Sequence, residues 1–371
     1  MKKKVLHISK YYSPHVGGIE DICKSIVDNM AEFDFEVLCF SDSKDDIIDY
    51  VDGIKVIRAG VWKQVARQSI PYHFGKILRN VLKSFNPDII HLHLPNPLVL
   101  IYVLLFVSHD IKIVVHWHSD IIVHENIHTF VLPLEKLILK RANTIIATSM
   151  QYIEGSKLLK KFQRKCVIVP NVVSEMKMDA KPKSNITIEQ LHNRYGENIV
   201  LFVGRHVKYK GLEYLIESSK FLRDDETILI AGYGPETNDL KIMAKGLNNI
   251  IFIGRIPDDE LGTYMRAAKI FAFPSVSKNE AFGVVLAEAM YCGAVPVTFT
   301  ISGSGVNWVN VNNETGIEVA NKDYVAFAKA IDMLIGDEVL RSRYRINAKQ
   351  RIIDNFTMNK IINKLICIYE K

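Results

Sequence analysis

Two glutamates, Glu280 and Glu288, lie in the segment of this sequence that is best suited to chemistry. The segment follows an apolar run, Ile270–Phe273, which predicts a buried strand, and Glu280 falls in the loop before a predicted helix. We expect Phe282–Val284 to form the first helical turn, whose free N–H groups and positive dipole attract phosphate, and Gly283 to let a ligand approach the backbone closely. Glu288, further along the helix, is then placed to accept hydrogen bonds from ribose hydroxyls. The alternative is a loop glutamate and a glutamate on a solvated helix face.

A pair of cations, Arg205 and Lys210, lies in the segment Val203–Gly211, between a predicted strand and a predicted helix. Gly204 precedes them directly, so the strand ends in a glycine turn with two positive charges close by. A diphosphate needs this arrangement, because the planar guanidinium grips two oxygens and the ammonium supplies a compact charge. The alternative is two solvated loop cations.

Paired glycines, Gly17 and Gly18, follow the first predicted strand and precede a predicted helix. They allow either close approach of a ligand or a tight turn. Neither this segment nor Ala231–Glu236 completes the G-x-G-x-x-G pattern of dinucleotide-binding folds. The dehydrogenase interpretation therefore loses its main support.

Four histidines, His91, His93, His116 and His118, end two neighbouring predicted strands. Strand alternation puts His116 and His118 on one face. The spacing of a dedicated zinc motif is absent, so we expect no metal here. We favour His118 as a hydrogen-bonding group for a sugar.

Short apolar strands alternate with helical patterns along the chain, which predicts an α/β fold with parallel sheets. The strands predicted in the first half are Lys4–Ile8, Glu36–Phe40, Lys55–Arg58, Ile89–Leu92, Ile113–His116, Thr144–Ala147 and Val167–Val169. Helices are predicted at Ile19–Ala31 and Ile70–Phe85. After a polar segment, 174–198, the pattern restarts with strands Ile199–Val203, Thr227–Ala231, Ile250–Ile253, Ile270–Ala272 and Val295–Thr298 and with a helix Tyr209–Leu222. This restart predicts two Rossmann-like domains, which bind ligands at the carboxyl ends of their strands and so face each other across a cleft.

The remaining segments are helical or are defined by their composition. Tyr324–Ile335 and Val339–Tyr369 read as helix, the second broken near Asn355–Met358. The apolar run Leu98–Val107 is too short to span a membrane, so we expect a core helix. Five scattered cysteines indicate free thiols in a reducing compartment.

The net charge of +6 is a mild bias that fits an anionic ligand, an anionic membrane surface or nothing in particular. A group of basic residues offers either a contact for anionic lipid or a solvated helix face. The group comprises Lys157, Lys160, Lys161, Arg164 and Lys165. No nucleic-acid-binding motif appears, so we expect no nucleic-acid partner.

Taken together, these motifs resemble glycosyltransferase family 4. The resemblance rests on the glycine pair after the first strand, Gly204-Arg205-x4-Lys210-Gly211, Gly254-Arg255-Ile256 and Glu280-x7-Glu288. It implies the GT-B fold: an acceptor-side domain at 1–175, a nucleotide-sugar-binding domain at 195–350, and a C-terminal helix at 351–371 that returns to the first domain. The segment Ser302–Val309 resembles transferases of surface-polysaccharide assembly.

The resemblance also implies a role for each matched residue. Arg205 and Lys210 bind the donor diphosphate and stabilise the departing nucleotide, Glu280 contacts the donor sugar, and His118 lies near the reacting sugar. The remaining donor-binding residues are Gly17, Gly18, Gly204, Ile256 beside the nucleobase, Phe282, Gly283, Val284 and Glu288 at the ribose.

The implied activity is transfer of a hexose from a nucleotide-sugar donor, with retention of configuration. GDP-mannose is favoured over a UDP-hexose, and the acceptor is a saccharide, lipid-linked through polyprenyl diphosphate. We expect no cofactor and no metal, because two cations and a helix N-terminus replace the metal ion and no Asp-x-Asp motif is evident. A cytoplasmic location, peripheral at the inner face of the membrane, would follow. The alternatives are an inactive nucleotide-sugar-binding protein of the same fold, or a phosphorylase or epimerase.

Overall fold

The computed structural model describes residues 2–15, 17–65, 68–120 and 125–371. The chain divides into two compact units. The first unit comprises Met1–Val169 and Ile362–Lys371, and the second unit comprises Pro170–Ile361.

The first unit contains an eight-stranded sheet and a separate hairpin. Its strands are β1 Lys4–Ile8, β2 Asp34–Phe40, β3 Ile47–Val51, β4 Ile54–Ala59, β5 Val61–Val65, β6 Gln68–Pro71, β7 Ile89–Leu94, β8 Lys112–Trp117, β9 Thr144–Ala147 and β10 Cys166–Ile168. The sheet order is β10-β9-β8-β7-β1-β2-β4-β3, and β5 pairs with β6. Every pairing in the large sheet is parallel except β3 with β4.

Helices connect the parallel strands of the first unit. They are α1 Gly18–Asn29, α2 Phe74–Ser84, α3 Pro97–Phe106, α4 Glu125–Arg141 and α5 Met150–Gly155, followed by a 3-10 helix, Leu159–Lys165. The central strand β7 is buried along its whole length, as expected for a parallel strand covered on both faces. The predicted apolar helix is confirmed as α3, and no helix in the described ranges is long and apolar enough to cross a membrane.

The second unit contains a six-stranded parallel sheet in the order β13-β12-β11-β14-β15-β16. Its strands are β11 Asn198–Val203, β12 Glu226–Ala231, β13 Ile250–Gly254, β14 Ile270–Phe273, β15 Val295–Phe299 and β16 Ile317–Val319. Its helices are α6 Glu175–Met178, α7 Ile188–Tyr195, α8 Leu212–Ser218, α9 Thr237–Met243, α10 Leu261–Ala267, α11 Val284–Cys292, α12 Val306–Val309, α13 Tyr324–Gly336 and α14 Glu338–Asn355, with 3-10 helices at Lys208–Lys210 and Ser219–Phe221. The last helix, α15 Met358–Glu370, begins in the second unit and ends in the first.

Each strand predicted from the sequence is confirmed, but two helix predictions are wrong in detail. The predicted helix Ile70–Phe85 starts only at Phe74, because Gln68–Pro71 forms strand β6. The predicted helix Tyr209–Leu222 is divided, because Gly211 adopts a left-handed conformation between the 3-10 turn and α8. The prediction of free thiols is confirmed: Cys23 and Cys39 are buried, whereas Cys367 is exposed.

Candidate active site

An ion pair between Lys210 and Glu280 lies at the centre of the candidate site in the second unit. The Lys210 ammonium donates to Glu280 Oε2, and Ser275 Oγ donates to the same oxygen at 3.3 Å. Lys210 is 7% exposed, and its Nζ lies 5.0 Å from the centre of the Phe273 ring. Burial opposes the charge of Lys210, but the Glu280 carboxylate and Tyr209 together outweigh this effect and raise the pKa of the lysine. Two residues predicted separately from the sequence are thus brought into direct contact.

Two neighbouring strands bring these charges together. Strands β11 and β14 pair, so the loops that follow them emerge side by side. The Val276 amide donates to the Tyr209 carbonyl at 2.9 Å, which ties one loop to the other. Gly211 has φ +65°, and a Cβ there would collide with the Pro274 carbonyl. Only glycine allows the two loops to approach each other this closely, so Gly211 sets the position of Lys210 relative to the second loop.

Arg205 and Gly204 lie beside the same pair. The Arg205 side chain is exposed, and its charge acts on Tyr209, where burial raises the pKa and the Lys210 and Arg205 charges oppose that rise. A Cβ on Gly204 would lie 3.8 Å from Lys210 Cε and 3.1 Å from the Phe202 ring. The Lys210 side chain therefore passes close to the Gly204 backbone.

The start of helix α11 differs from the sequence prediction. The helix begins at Val284, so Phe282 and Gly283 precede the first turn instead of forming it. Gly283 has φ +85°, a left-handed conformation that places it outside the helix. Phe282 is 2% exposed and packs against the rings of Trp308 and Phe356. Its backbone thus leads directly into the free amides of the first turn, which form an anion-binding end.

The structure places two further donor-binding candidates of the second unit, Glu288 and Ile256, in buried positions. Glu288 lies on α11 and is 8% exposed, and its charge contributes to raising the pKa of Cys292 one turn later, where burial is the main cause. Ile256 follows β13 and is 7% exposed. The alternative interpretation of Glu288, a glutamate on a solvated helix face, therefore does not fit its position. A nearly buried carboxylate requires polar partners.

A supporting loop was not recognised from the sequence as part of this site. Ser304 is 1% exposed and donates through its hydroxyl to the Glu280 carbonyl. The Gly305 amide donates to the Ala281 carbonyl at 2.9 Å. The Ser302–Val309 segment thus holds the backbone on which Glu280 stands, and its serine-glycine composition after a strand was the available signal.

In the first unit, five buried histidines cluster on adjacent strands. His7 on β1 and Tyr369 on α15 join the four residues predicted from the sequence. The full set is His7, His91, His93, His116 and His118. The prediction that His116 and His118 share a face is confirmed, since their rings stack with centroids 4.0 Å apart.

These histidines are neutral groups. Burial lowers the pKa of His118 to about 3 and that of His7 to about 3, and it holds the pKa values of the other three well below their ordinary value. They therefore act as hydrogen-bonding groups and not as cations. Two groupings are compact enough for a metal ion: His7 with Cys23 and His93, and His91 with His93 and His116.

The glycine pair begins helix α1. Gly17 is the N-cap in an extended conformation, and its carbonyl accepts from the Asp21 amide at 2.8 Å. A Cβ on Gly17 would collide with the Glu20 carboxylate, whereas a Cβ on Gly18 would meet no described atom within 4 Å. Open space at Gly18 is consistent with the predicted approach of a ligand.

Comparison with known proteins decides the family. The model for glycosyl transferases group 1 matches residues 184–351, and the model for glycosyltransferase family 4 matches residues 16–175. The chain belongs to glycosyltransferase family 4. This glycosyltransferase is 28% identical to the O-antigen chain mannosyltransferase C of Escherichia coli, over 99% of this chain and 98% of that protein. It is 28% identical to the D-rhamnosyltransferase WbpZ of Pseudomonas aeruginosa, over 95% and 92% of the two chains.

Solved structures with the same architecture show that this glycosyltransferase has the GT-B fold. Sucrose-phosphate synthase from Thermosynechococcus elongatus matches with a TM-score of 0.79 and 20% identity, over 100% of this chain and 98% of that chain. Anabaena HepE, in complex with UDP and glucose, matches with a TM-score of 0.77 and 18% identity, over 99% of both chains.

The neutral histidines predict that the glycosyltransferase loses stability in mild acid. An unfolded histidine binds a proton below about pH 6.5, whereas the folded ones do so only at much lower pH. The unfolded state then binds more protons, so the free energy of unfolding is highest above that pH and falls by about 1.4 kcal/mol per pH unit for each histidine concerned. Urea unfolding followed by circular dichroism between about pH 7.5 and 5 measures this slope.

A matched control separates buried from exposed histidines. His109 is exposed, so His109→Gln removes no buried imidazole and is the control, whereas His116→Gln should reduce the slope. A free energy of unfolding that stays constant between about pH 6.5 and 5 contradicts the assignment of neutral histidines.

Proposed function

We propose that this glycosyltransferase transfers a hexose from a nucleotide-sugar donor to a saccharide acceptor, with retention of configuration and without a metal ion. The contact of Lys210 with Glu280, in loops beside the start of α11, carries the proposal. It brings together a cation for the departing phosphate and a carboxylate for the sugar hydroxyls.

The donor diphosphate lies against Arg205 and Lys210, with the α11 amides completing its shell. Negative charge develops on the leaving phosphate as the C1–O bond breaks, and fixed cations with a helix N-terminus stabilise it without reorganisation. The backbone of Phe282, Gly283 and Val284 follows the phosphate and sugar. Glu288 accepts from the ribose hydroxyls, and Ile256 lies beside the base.

Glu280 is a binding group in this mechanism. Its Oε2 already accepts from Lys210 and Ser275, which lowers its nucleophilicity and orients it toward hydroxyl donors. The acceptor oxygen therefore bonds to C1 on the face that the diphosphate leaves, and the acceptor proton passes to the departing phosphate oxygen. Configuration is kept without a covalent intermediate.

The donor is a mannosyl nucleotide, with GDP favoured, and the product belongs to surface-polysaccharide assembly. The name of the Escherichia coli relative, an O-antigen chain mannosyltransferase, supports the mannosyl donor and the polysaccharide product, whereas the Pseudomonas aeruginosa relative is named for transfer of D-rhamnose. A lipid-linked acceptor is consistent with an exposed basic group in the first unit, where Lys157, Lys160, Lys161 and Arg164 face solvent. We place the enzyme at the inner membrane face for this reason.

The nucleotide specificity can be read from thermal stability. A ligand at one hundred times its dissociation constant stabilises the folded state by about 2.7 kcal/mol, so GDP should raise Tm more than UDP, ADP, TDP or CDP. Glu288→Ala should weaken GDP binding at least tenfold, because it removes hydrogen bonds to a charged group worth about 1.5–3 kcal/mol. Glu197→Ala, at an exposed position of the second unit, is the control. A larger shift with UDP would replace GDP in the proposal.

Variants of the Lys210–Glu280 pair separate its contribution to stability from its contribution to sugar transfer. Lys210→Met or Glu280→Gln alone leaves a nearly buried charge unpaired and should cost about 3 kcal/mol of stability. The double variant removes both charges and should recover most of that stability, yet transfer should remain lost in all three. Urea unfolding and transfer from GDP-mannose to a lipid-linked saccharide measure the two effects. Transfer restored in the double variant would contradict a role of the pair in donor binding.

The stereochemistry and metal requirement are tested on the same reaction. The anomeric configuration of the new bond, read by proton NMR, should match that of the donor, and EDTA should leave the rate unchanged. An inverted product or a rate restored by Mg²⁺ contradicts the mechanism. Nucleotide-sugar binding without transfer to any acceptor would instead favour an inactive binding protein, and a requirement for free phosphate would favour a phosphorylase.

A further inference from the structure

A continuous hydrogen-bonded chain runs through the buried histidines of the first unit and ends at His118. Its six members are, in order, His116, His91, Tyr369, His7, His93 and His118. The five links, in the same order, measure 3.1, 2.6, 3.2, 3.0 and 2.9 Å. At its two ends, His116 Nε2 and His118 Nδ1 are buried and have no hydrogen-bonding partner in the described part of the chain.

The proton count forces this chain to point in one direction. A neutral imidazole carries one N–H and one acceptor nitrogen, and a phenol carries one O–H. An interior ring that donates on one side must therefore accept on the other. Six protons serve five links, so one proton remains at one end, on either His116 or His118. The direction of the chain thus decides which nitrogen of His118 is protonated.

The lengths of two bonds select the direction. The Tyr369 oxygen lies 2.6 Å from His91 Nδ1 and 3.2 Å from His7 Nε2, and an O–H donor makes the shorter bond. Tyr369 therefore donates to His91 and accepts from His7. The Cys23 thiol lies 3.5 Å from His7 Nδ1, further than the 3.0 Å that separates this nitrogen from His93 Nε2, so His93 is the donor that uses its lone pair.

Following the chain from Tyr369 gives the tautomer of His118. His7 uses its proton on Nε2 toward Tyr369, so its Nδ1 accepts from His93 Nε2. His93 Nδ1 must then accept from His118 Nε2. His118 is left with a free acceptor at Nδ1, which suits a sugar hydroxyl as donor.

We propose that Tyr369 is a positioning residue for His118: through His7 and His93 its hydroxyl holds the His118 proton on Nε2 and keeps Nδ1 as the acceptor for a sugar hydroxyl. The proposal rests on the proposed function and on the role beside the reacting sugar that the family resemblance implies for His118. It assigns a role in the site to the last turn of α15, far from His118 in the sequence.

A metal ion is the competing use of the same side chains. In both candidate groupings, His7 with Cys23 and His93, and His91 with His93 and His116, the ring nitrogens are already joined in pairs. His91 Nε2 lies 3.1 Å from His116 Nδ1, His7 Nδ1 lies 3.0 Å from His93 Nε2, and His93 Nδ1 lies 2.9 Å from His118 Nε2. A proton between each pair uses the lone pair that a metal ion would need, so the hydrogen-bonded chain is the arrangement that the geometry favours.

The Tyr369→Phe variant tests the proposal by its effect on the tautomer. Without the hydroxyl, His7 Nε2–H would be buried without an acceptor, which is costly, so the His7 proton should move to Nδ1. His93 then donates from Nδ1, and the His118 proton moves to Nδ1. In ¹⁵N-histidine-labelled full-length protein, the His118 nitrogens should exchange their pyrrole-like and pyridine-like shifts, with His118→Asn identifying the signals.

Kinetics and a matched control complete the experiment. Tyr369→Phe should lower kcat/KM for transfer about tenfold, the loss of one hydrogen bond to substrate. Tyr12→Phe removes another buried hydroxyl of the first unit, one without a partner among the described residues, and should leave the His118 shifts unchanged. If Tyr369→Phe does not fold, the wild-type protein gives the second reading, because the proposed direction of the chain requires the His118 proton on Nε2.

Two results overturn the proposal: wild-type His118 protonated on Nδ1, or the same tautomer in the wild type and in the folded Tyr369→Phe variant. The tautomer is observed without turnover, so a wild-type protein that transfers no sugar would overturn the proposed function and leave the tautomer result intact.

Discussion

The ion pair between Lys210 and Glu280 is the interaction on which the candidate donor site depends. A buried ammonium is tolerated only with a partner, and a buried carboxylate has the same requirement. Each residue therefore fixes the other, and the two loops that carry them are locked at one spacing. Gly211 and Ser304 support the pair from either side, one by allowing close approach and the other by holding the Glu280 carbonyl.

The first unit solves the problem of buried titratable groups differently. It buries five imidazoles that form no ion pair with a carboxylate among the described residues, so each needs a donor and an acceptor instead of an opposite charge. Such an array is satisfied only as a continuous chain, because a ring bonded on one side leaves the other nitrogen orphaned. One unit thus specifies its site by charge pairing, and the other by the direction of hydrogen bonds.

The sequence predicted the strands and their order of appearance well, because parallel strands buried on both faces are continuous apolar runs. It failed where local pattern and tertiary context disagree. Ile70 continues a helical pattern toward Phe85, yet it pairs in a hairpin with Lys63. Phe282 precedes α11 because its ring is buried against Trp308 and Phe356, contacts that no local pattern displays.

The same reasoning explains which site residues were predicted. Lys210 and Glu280 each stand in a recognisable loop after a strand, so their types and spacing were informative before their contact was known. Ser304 and Tyr369 act on residues far away in the sequence, and only the folded chain brings them near. His7 was missed because a single histidine in an apolar strand is indistinguishable from a core residue until its neighbours are placed.

The end of the chain shows how one contact serves two purposes. The last carbonyls of a helix lack intrahelical partners, and the negative end of the dipole favours a cation. Lys3 donates to the carbonyls of Tyr369 and Glu370 at 3.0 and 3.1 Å, and Lys112 donates to that of Ile368. These bonds hold the last turn of α15 against β1 and β8, the strands that carry His7, His116 and the residues leading to His118. The cap that ends the helix therefore also fixes the distance of the Tyr369 hydroxyl from the histidines, so the backbone of α15 and the tautomer of His118 depend on the same two lysines.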